Sequence, residues 1–483
     1  MNKLKIDLSN LEDLLYDKVK KEDIPKIKTL FLKKLAFEYH KFYKGKIQTI
    51  PKAGIWGFNW FNVWYTPGVS EISTSIRDNQ NLSYELSNRS NTVGIVSDST
   101  RVLGDGNVTP PGGLGVMEGK AFLMKYLGGI DAIPLCINSE NDSGENDPDK
   151  IIDFVKMVQP SFGAINLEDI SQPNCFKVLD SLKEECNIPV WHDDAQGTAS
   201  VTLAGVLNSL KLTNRSIDDI KIVLIGAGAS NSTIARFLIK AGANPGRIII
   251  FDSKGSLHRN RNDIKEDKRF YRKWELCETT NSAAINEPEK AVENADLLIA
   301  LSKPGPKTVP PEWISKMSPK SIVFACANPV PEIYPEMAKK AGAYIVATGR
   351  GDFPNQVNNS LGFPGILKGA LMVNAGKITD NMAINAAYSL ADFAEKKGMN
   401  PQNIIPNMED FKVFPEEAAD VAMQAISDKV ARKKISRKEA FNQAYSDIKK
   451  ARSITEILMR EKIIKQPNQK ILQNCLEWTL KQI

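Results

Sequence analysis

The sequence has few of the features that mark membrane proteins, disulfide-rich proteins and zinc proteins. Its 483 residues contain no apolar run near the roughly 18 residues that a membrane helix needs, since runs such as KIVLIGAGA and ADLLIAL are broken much sooner. The six cysteines form no CxxC pair and only three histidines are present, so neither a disulfide framework nor a zinc site is indicated. The first 26 residues lack arginine and a long apolar segment, unlike a targeting peptide. We expect a cytoplasmic protein with reduced thiols.

The positive charge is concentrated at the two ends of the chain. Residues 1–46 carry 12 basic and 7 acidic side chains and residues 431–483 carry 13 and 5, whereas the whole chain has a net charge of only +6. In the basic C-terminal segment, apolar side chains recur at helical spacing and no motif that reads nucleic acid is present. We expect an amphipathic helix that docks on the protein itself or on a second subunit, and neither a nucleic acid nor a membrane as a partner.

Short β-branched runs alternate with helical stretches from Thr92 onward, as in TVGIVSDS, VMEGKAFLMKYLGG and FGAINLEDI. This alternation is typical of βαβ units with a mostly parallel sheet. A second series begins near Asp218 with KIVLIGAGAS and continues through RIIIFDSKG and SIVFACANP. We predict an α/β protein in four parts: a helical N-terminal extension over 1–42, an α/β domain over 43–200, a doubly wound Rossmann-type domain over 201–436, and a basic helical tail over 437–483.

The run KIVLIGAGAS and the helical pattern after it fit a dinucleotide-binding turn. A buried-strand pattern leads into Gly226 and Gly228, so that a pyrophosphate could approach the backbone at a helix N-terminus. The next strand ends in Asp252, near the offset at which an acid binds a ribose diol. Ser253 and Lys254 follow directly and are suited to a 2′-phosphate. The residues therefore indicate NAD or NADP without choosing between them.

Four acids follow two predicted strands. Glu168 and Asp169 lie at the end of INLEDI, and Asp193 and Asp194 follow His192 in WHDDAQGTA. Because side chains alternate along a strand, we expect His192 and Asp194 on one side and Asp193 on the other. Hard oxygen ligands without cysteine fit Mg²⁺ or Mn²⁺ rather than zinc. The alternative is that the acids are helix caps or surface groups and that the histidine is a packed side chain.

These motifs, with others along the chain, resemble those of the malic enzymes, the NAD(P)- and divalent-metal-dependent oxidative decarboxylases of malate. The resemblance runs from Tyr43 to Arg432 and rests on YKGKI, WYTPGVS, VMEGKA, GGIDAIPLC, FGAINLEDI, WHDDAQGTA, GAGAS, FACANPVPEI and ATGRGDFPNQVNNSLGFPG. It implies a substrate and metal domain over 43–200 and an NAD(P) domain over 201–436, around a cleft, with the last part of the second domain packed back on the first. It also implies a homo-oligomer, with a dimer favoured, and small members of the family sometimes share the active site between subunits.

The resemblance assigns catalytic roles to individual residues. Tyr65 matches the general acid of the family and Lys120 its general base, with Asp193 placed to orient the base. As a base, Lys120 needs a pKa lowered toward neutrality, which burial and a neighbouring cation would favour. The positions matched to the metal ligands are Glu168, Asp169 and Asp194.

The resemblance and the dinucleotide pattern also place the two substrates. The positions expected to bind malate are Arg101, Asn328, Asn358 and Asn359. The positions expected to bind the dinucleotide are Thr198, Gly226, Gly228, Ala229, Ser230, Asp252, Ser253, Lys254, Ser302 and Asn328.

Two other functions are compatible with the same scaffold. The first is a malolactic-type reaction, in which bound NADH reduces pyruvate to lactate and no reduced cofactor accumulates. The second is a non-catalytic protein that senses malate or a nucleotide. The presence of Tyr65, Lys120 and all three metal-ligand positions argues against the second.

Overall fold

The structure is a computed structural model that describes residues 8–16, 18–102 and 104–482. Its strands, β1 to β10 in chain order, are Thr92–Ser97, Asp131–Cys136, Ala164–Leu167, Val190–His192, Ile222–Ile225, Ile248–Asp252, Gly255–Ser256, Leu297–Ala300, Ile322–Ala325 and Ile345–Thr348. Its α-helices, α1 to α20, are Leu11–Tyr16, Ile24–Tyr43, Phe61–Trp64, Val69–Asp78, Ser83–Leu86, Thr109–Gly128, Pro148–Val158, Asn174–Glu185, Thr198–Thr213, Ala229–Lys240, Asn262–Glu266, Tyr271–Thr279, Pro288–Val292, Pro311–Ser315, Pro335–Lys340, Phe363–Met372, Asp380–Lys397, Val413–Ser427, Arg437–Arg460 and Gln469–Leu480. None of the helices in this described part of the chain is both long and apolar enough to cross a membrane.

The first four strands form a parallel sheet in the order β2-β1-β3-β4. Successive side chains of β1 face two different cores, as the two-residue period of a strand requires. Val93 and Ile95 belong to a core with Met117 of α6, whereas Val96 belongs to one with Val155 of α7. Both faces of the central strand β1 are therefore covered, which is why it reads as a continuous apolar run, whereas the edge strand β2 is only partly buried.

The remaining strands form a second sheet in the order β10-β9-β8-β5-β6-β7. All neighbours pair in parallel except the short β7, which runs antiparallel to β6. The chain moves outward through β6 and then returns to add β8 on the other side of β5. This reversal is the switch point at which open α/β sheets bind ligands beyond the carboxyl ends of their strands. The predicted α/β class with a Rossmann-type sheet is confirmed.

Helices that follow the second sheet in the chain pack against elements of the first. The Nζ of Lys368, in α16, is buried and donates hydrogen bonds to Asn91 Oδ1 at 3.0 Å and Asp447 Oδ2 at 2.7 Å. In α16, Pro364 also lies against Gly128 at the end of α6. The predicted domain boundaries at 42, 200 and 436 stay predictions, since contacts divide the chain differently, into Pro51–Lys450 and the described residues of Met1–Ile50 and Ala451–Ile483.

The terminal unit, which combines the two ends of the chain, has a small core of its own. Leu15 of α1 and Phe31 of α2 are buried there with Leu472 and Leu476 of α20. The predicted basic tail therefore divides: α20 packs on α2, whereas Ile448 in the earlier part of α19 is buried in the core of the larger unit.

Candidate active site

Acidic residues come directly after two neighbouring strands of the first sheet. Glu168 and Asp169 follow β3, and Asp193 and Asp194 follow β4. Because these strands pair in parallel, both acidic pairs lie at the same edge of the sheet. Asp169 has a left-handed backbone with φ 54°, and the chain after β4 forms a π-helical turn over Asp193–Gly197. Both are rare conformations that concentrate at functional sites.

Three of these carboxylates converge. One oxygen each from Glu168, Asp169 and Asp194 lies within 4.8 Å of the others. Asp194 Oδ2 accepts the backbone N–H of Asp169 at 2.8 Å, and Asn166 Nδ2 donates to Glu168 Oε2 at 2.8 Å. Glu168 and Asp169 are buried. Carboxylates held this close repel one another unless a cation lies among them, and the oxygen donors suit Mg²⁺ or Mn²⁺.

A lysine lies beside this group. The Nζ of Lys120, in α6, donates to Asp193 Oδ2 at 2.6 Å and lies 2.9 Å from Glu168 Oε1. Trp191 Nε1 donates to Asp193 Oδ1 at 3.0 Å, and the ring of Phe363 lies 4.4 Å from the ammonium. Lys120 and Asp193 are both buried. The ammonium is thus held in one position by two carboxylates and an aromatic face.

The charges in this cluster oppose one another. Burial raises the pKa of Glu168 and of Asp193, although the Lys120 ammonium lowers both. Burial lowers the pKa of Lys120, but the carboxylates of Asp193, Glu168 and Asp194 raise it by more, so its net pKa is above the ordinary value. The lowered pKa that we expect of a general base is therefore not present while only carboxylates face the ammonium.

His192 is the last residue of β4 and is fully buried. Its Nδ1 lies 3.8 Å from Asp194 Oδ2, and no described residue hydrogen-bonds either ring nitrogen. Burial lowers the pKa of His192, although the carboxylates of Asp194 and Asp98 oppose this effect. Asp193 points toward Lys120 instead. The strand ends at His192, and Asp193 and Asp194 lie in the π-helical turn, so the expected division of side chains between two sides of a strand stays a prediction.

The dinucleotide turn lies between β5 and α10. Gly226 has φ 99°, a conformation that favours glycine, and a Cβ there would strike the loop after β8. Gly228 is exposed, and a Cβ built on it would meet no atom within 4 Å. The helix begins at Ala229, so its free N–H groups point to the open space beside the turn. This geometry suits a pyrophosphate.

Two polar side chains in the first turns of α10 hold this loop. Asn231 occupies the position of the third glycine of the fingerprint, where its buried Nδ2 donates to Ile225 O at 3.0 Å and Gly226 O at 2.9 Å. Ser230 Oγ donates to Asp194 O at 2.9 Å. The dinucleotide turn is thereby joined directly to the carboxylate cluster.

Asp252 ends β6 in an ion pair that the sequence does not reveal. Its two carboxylate oxygens accept from Arg261 at 3.0 and 2.9 Å. The same guanidinium binds Asp263 at 2.8 and 2.9 Å, and Lys254 Nζ lies 3.4 Å from Asp263 Oδ2. Lys273 Nζ lies 4.0 Å from Asp252 Oδ2. Three cations therefore surround two carboxylates at the position where the adenosine ribose is expected.

The asparagines expected to bind malate lie after β9 and β10. Asn328 follows β9 and is half-buried, and its Nδ2 lies 2.9 Å from the position that a Cβ on Gly349 would occupy. Asn358 Oδ1 accepts the N–H of Ser360 at 3.0 Å, and Asn359 lies against Gly197 of the π-helical turn. The structure thus brings Asn359 beside the acids that follow β4.

Three further predicted residues come after the carboxyl ends of strands in the two sheets. The backbone N–H of Arg101 donates to Asp169 O at 3.0 Å, although its side chain is exposed. Thr198 begins α9 directly after the π-helical turn. Ser302 follows β8, and its backbone N–H donates to Glu332 Oε1 at 2.9 Å.

Tyr65 is not part of the buried cluster. It follows α3, and its side chain is 71% exposed. Every residue from 51 to 67 is exposed, and this segment contains Phe58 at 89% and Trp56 at 72% exposure. The structure therefore places the expected acid at the surface of the single chain, whereas the expected base is buried.

Comparisons with known proteins identify the family. Residues 58–183 match the family described as "Malic enzyme, N-terminal domain", and residues 195–430 match "Malic enzyme, NAD binding domain". A "Bifunctional malic/malolactic enzyme" of Bacillus subtilis is 41% identical over 406 residues, which cover 83% of this chain and 95% of the relative. The chain belongs to the malic enzyme family. It is an NAD(P)-dependent decarboxylating oxidoreductase. The second sheet lies within the part that matches the NAD-binding domain.

Further members of the malic enzyme family are similar over most of the chain. An "NAD-dependent malic enzyme" of Geobacillus stearothermophilus is 39% identical over 428 residues, 88% of this chain and 84% of the relative. The crystal structure of Entamoeba histolytica malic enzyme superposes with a TM-score of 0.97 at 62% identity, over 100% of this chain and 99% of that one. This similarity extends to the terminal unit, which lies outside the residues that match the two family domains.

Some residues of the site are not singled out by the sequence. Trp191 and Phe363 lie within motifs that resemble those of the family. Their residue types do not show that Trp191 contacts Asp193 or that Phe363 contacts Lys120. Arg261 lies nine residues after Asp252, in a basic stretch that reads as a solvated loop. The signal that could have identified Arg261 is a basic residue shortly after the acid that ends β6.

Proposed function

We propose that the protein oxidises malate with NAD(P)⁺ and a divalent cation and decarboxylates the product to pyruvate and CO₂. The observation that carries the proposal is the buried contact of Lys120 with Asp193 and Glu168, beside two further carboxylates, in a chain of the malic enzyme family. A lysine next to a cation site can move a proton at a substrate hydroxyl, whereas a binding protein needs no such group.

The three converging carboxylates fit a divalent cation. Glu168, Asp169 and Asp194 would hold it, because they offer hard oxygen donors from two adjacent strand ends and their mutual repulsion needs a positive charge. A cation there would supply Lewis-acid polarisation of the hydroxyl and carboxylate oxygens of malate and a positive charge that lowers the pKa of Lys120.

Lys120 takes the hydroxyl proton of malate. Its Nζ is fixed by Asp193 and Glu168, which leaves the nitrogen directed at the edge of the cation site. Bound NAD(P)⁺ would accept the hydride that leaves C2 as the proton is removed, which leaves a β-keto acid. This acid loses CO₂ from C4, and the enolate of pyruvate so formed is protonated at C3 by the hydroxyl of Tyr65.

We propose that Tyr65 acts in the site of a second copy of the chain. The segment from 51 to 67 carries the exposed side chains of three tryptophans and two phenylalanines, with Lys52 as its one charged residue. An exposed apolar patch of this kind is typical of a protein interface. A homodimer that covers the segment would deliver Tyr65 to the partner's Lys120.

Mixing two inactive variants tests this assembly. Tyr65→Phe removes the acid and Lys120→Met the base, so each homodimer should be nearly inactive. In a random mixture half of the dimers contain both chains, and each has one site with both groups, so we expect about a quarter of wild-type activity. Activity that stays at the level of the separate variants would contradict a shared site, and the measurement is turnover after co-refolding.

We propose NADP as the preferred cofactor. Both oxygens of Asp252 are occupied by Arg261, so the acid is poorly placed to accept a ribose diol. The net positive cluster of Arg261, Lys254 and Lys273 around Asp252 and Asp263 suits a 2′-phosphate instead.

The lysine next to the strand end allows a direct test of this preference. Lys254→Gln should raise the KM for NADP about five- to tenfold and leave the KM for NAD unchanged, because only the 2′-phosphate loses a cation. Lys265→Gln is the matched control, since Lys265 lies over the ring of Trp274 rather than in the cluster. A higher wild-type kcat/KM with NAD than with NADP would overturn the proposal.

A malolactic reaction is the second candidate, because the name of the Bacillus subtilis relative includes it. The products separate the two functions. With L-malate, Mn²⁺ and oxidised cofactor, we expect pyruvate in the proton NMR spectrum. Lactate as the main product would replace the proposal by the malolactic reaction, and no product would contradict both.

A further inference from the structure

Glu332 is a fully buried acid that joins two loops of the cofactor sheet. It lies four residues after Asn328 and is 0% exposed. Its Oε1 accepts the backbone N–H of Ser302 at 2.9 Å, and its Oε2 accepts the backbone N–H of Ala327 at 3.0 Å. Each carboxylate oxygen therefore holds a different strand end.

The two loops lie where a ligand of an open α/β sheet is expected. Ser302 follows β8 and Ala327 follows β9, and these strands are neighbours in the sheet. The carboxyl ends of such strands next to the switch point form the ligand crevice. Ser302 and Asn328, the residues expected to bind cofactor and malate, lie within one residue of the two N–H groups that Glu332 binds.

The dinucleotide turn packs on the first of these loops. Leu301 N donates to Ile225 O at 3.0 Å, and a Cβ on Gly226 would collide with Leu301 O. On the other side, Gly349 lies close to the second loop, since a Cβ there would be 2.7 Å from Cys326 O. A shift of either loop would therefore move the surroundings of the cofactor as well.

A carboxylate is a costly way to join two loops in an apolar core. Burial raises the pKa of Glu332 to about 7, and the N–H donors of Ser302 and Ala327 offset only part of that effect. Side chains with such a cost are found more often at functional sites than in packing roles.

We propose that Glu332 is a positioning residue that fixes the β8 and β9 loops to each other, so that the nicotinamide end of the cofactor and the malate-binding Asn328 are held in register. The inference rests on the proposed function. Glu332 itself contacts neither substrate. It acts through the two backbone N–H groups that its carboxylate binds.

Two substitutions test whether the pair of hydrogen bonds that Glu332 accepts from the two loops, here called the bridge, is needed in addition to its charge and its volume. Glu332→Gln keeps the shape but turns an N–H donor toward one of the two loops, so one of the two hydrogen bonds is lost. Glu332→Asp keeps the charge but is one methylene shorter, so it spans only one loop at a time. Glu417→Gln is the control for loss of a buried carboxyl in the binding measurements, because Glu417 is equally buried, in α18, and no described residue hydrogen-bonds its carboxyl oxygens. Its turnover is not compared, since burial raises the pKa of Glu417 and the carboxylate of Asp193 adds to this effect.

The experiment measures binding as well as turnover. The binding probes are the reduced cofactor, followed by its fluorescence, and its adenosine fragment, 2′,5′-ADP for NADP or ADP for NAD, followed by calorimetry. We expect both Glu332 variants to lose about 10- to 100-fold in kcat/KM for malate, with weaker binding of the whole cofactor. Binding of the adenosine fragment should stay within about twofold of the wild type, since that end lies at Asp252.

If either Glu332 variant kept the kcat/KM and the cofactor affinity of the wild type, the proposed role of the bridge would be wrong. Equal losses for the whole cofactor and its fragment, or losses matched by Glu417→Gln, would also overturn it, because they indicate general destabilisation. The proposed function fails separately, if the wild-type protein itself does not oxidise malate. The ratio of the two binding constants tests the bridge even in that case.

Discussion

Replacing Lys120 with methionine should lower kcat for malate oxidation by about 10³-fold, because the substrate hydroxyl then has no group to take its proton. Methionine has a similar volume and fits beside the ring of Phe363, where the ammonium lies in the wild type. The loss should appear in kcat more than in the KM for malate, since the lysine acts on the reacting atoms. The measurement is steady-state turnover with saturating cation and cofactor.

Lys125→Met is the matched control for that variant. Lys125 lies on the same helix, but its side chain is partly exposed and pairs with Asp131 at 2.7 Å. Its substitution should change kcat by less than about twofold. If Lys120→Met turned over at the wild-type rate, or Lys125→Met lost as much, Lys120 would not be the base.

The second large effect is expected at the cation site. Glu168→Gln removes one of three converging carboxylates and leaves an amide of the same size. The affinity for Mn²⁺, measured by electron paramagnetic resonance, should fall about 100-fold, and turnover at low Mn²⁺ should fall with it. Raising the Mn²⁺ concentration should restore part of the activity, because two ligands remain.

Asp131→Asn distinguishes loss of a ligand from loss of any carboxylate in that sheet. Asp131 begins β2, whereas the ligands follow the ends of β3 and β4, and its partners are Lys125, Asn88 and Asn91. This variant should bind Mn²⁺ like the wild type. Unchanged Mn²⁺ affinity in Glu168→Gln would remove that residue from the cation site.

The sequence predicts the sheets well because their strands are buried on both faces. The runs TVGIVS, IVLI, LLIA and IVFA coincide with observed strands, and the acids that end INLEDI and follow PVWH lie at one sheet edge as expected. Burial on both faces gives short, nearly continuous apolar runs that are rich in β-branched residues. The Rossmann turn at Gly226 is predictable for a similar reason, since a positive φ and a close loop require glycine.

The sequence does not reveal contacts that depend on how loops turn and on which strand ends are neighbours. The pairing of Asp252 with Arg261 depends on how the loop after β7 turns back, and the bridge of Glu332 depends on the neighbouring ends of β8 and β9. The pattern of residues around Glu332 is that of a loop, which gives no sign of its burial. The raised pKa of Lys120 likewise reflects carboxylates that lie 48 or more residues away in the chain.

The position of Tyr65 also lies beyond the reach of one sequence. Its motif resembles the family pattern closely, yet the segment around it is exposed throughout in a single chain. A pattern of residues records which side chains a site uses but not which subunit supplies them. The mixed-variant experiment addresses that question.

Simultaneous measurement of reduced cofactor and pyruvate, while Mn²⁺ is added to chelator-treated protein with L-malate and oxidised cofactor, tests the central claim most directly. We expect no reaction before Mn²⁺ is added and then equal amounts of both products at every time point. Pyruvate without reduced cofactor, lactate in place of pyruvate, or a rate independent of Mn²⁺ would contradict metal-dependent oxidative decarboxylation at this site.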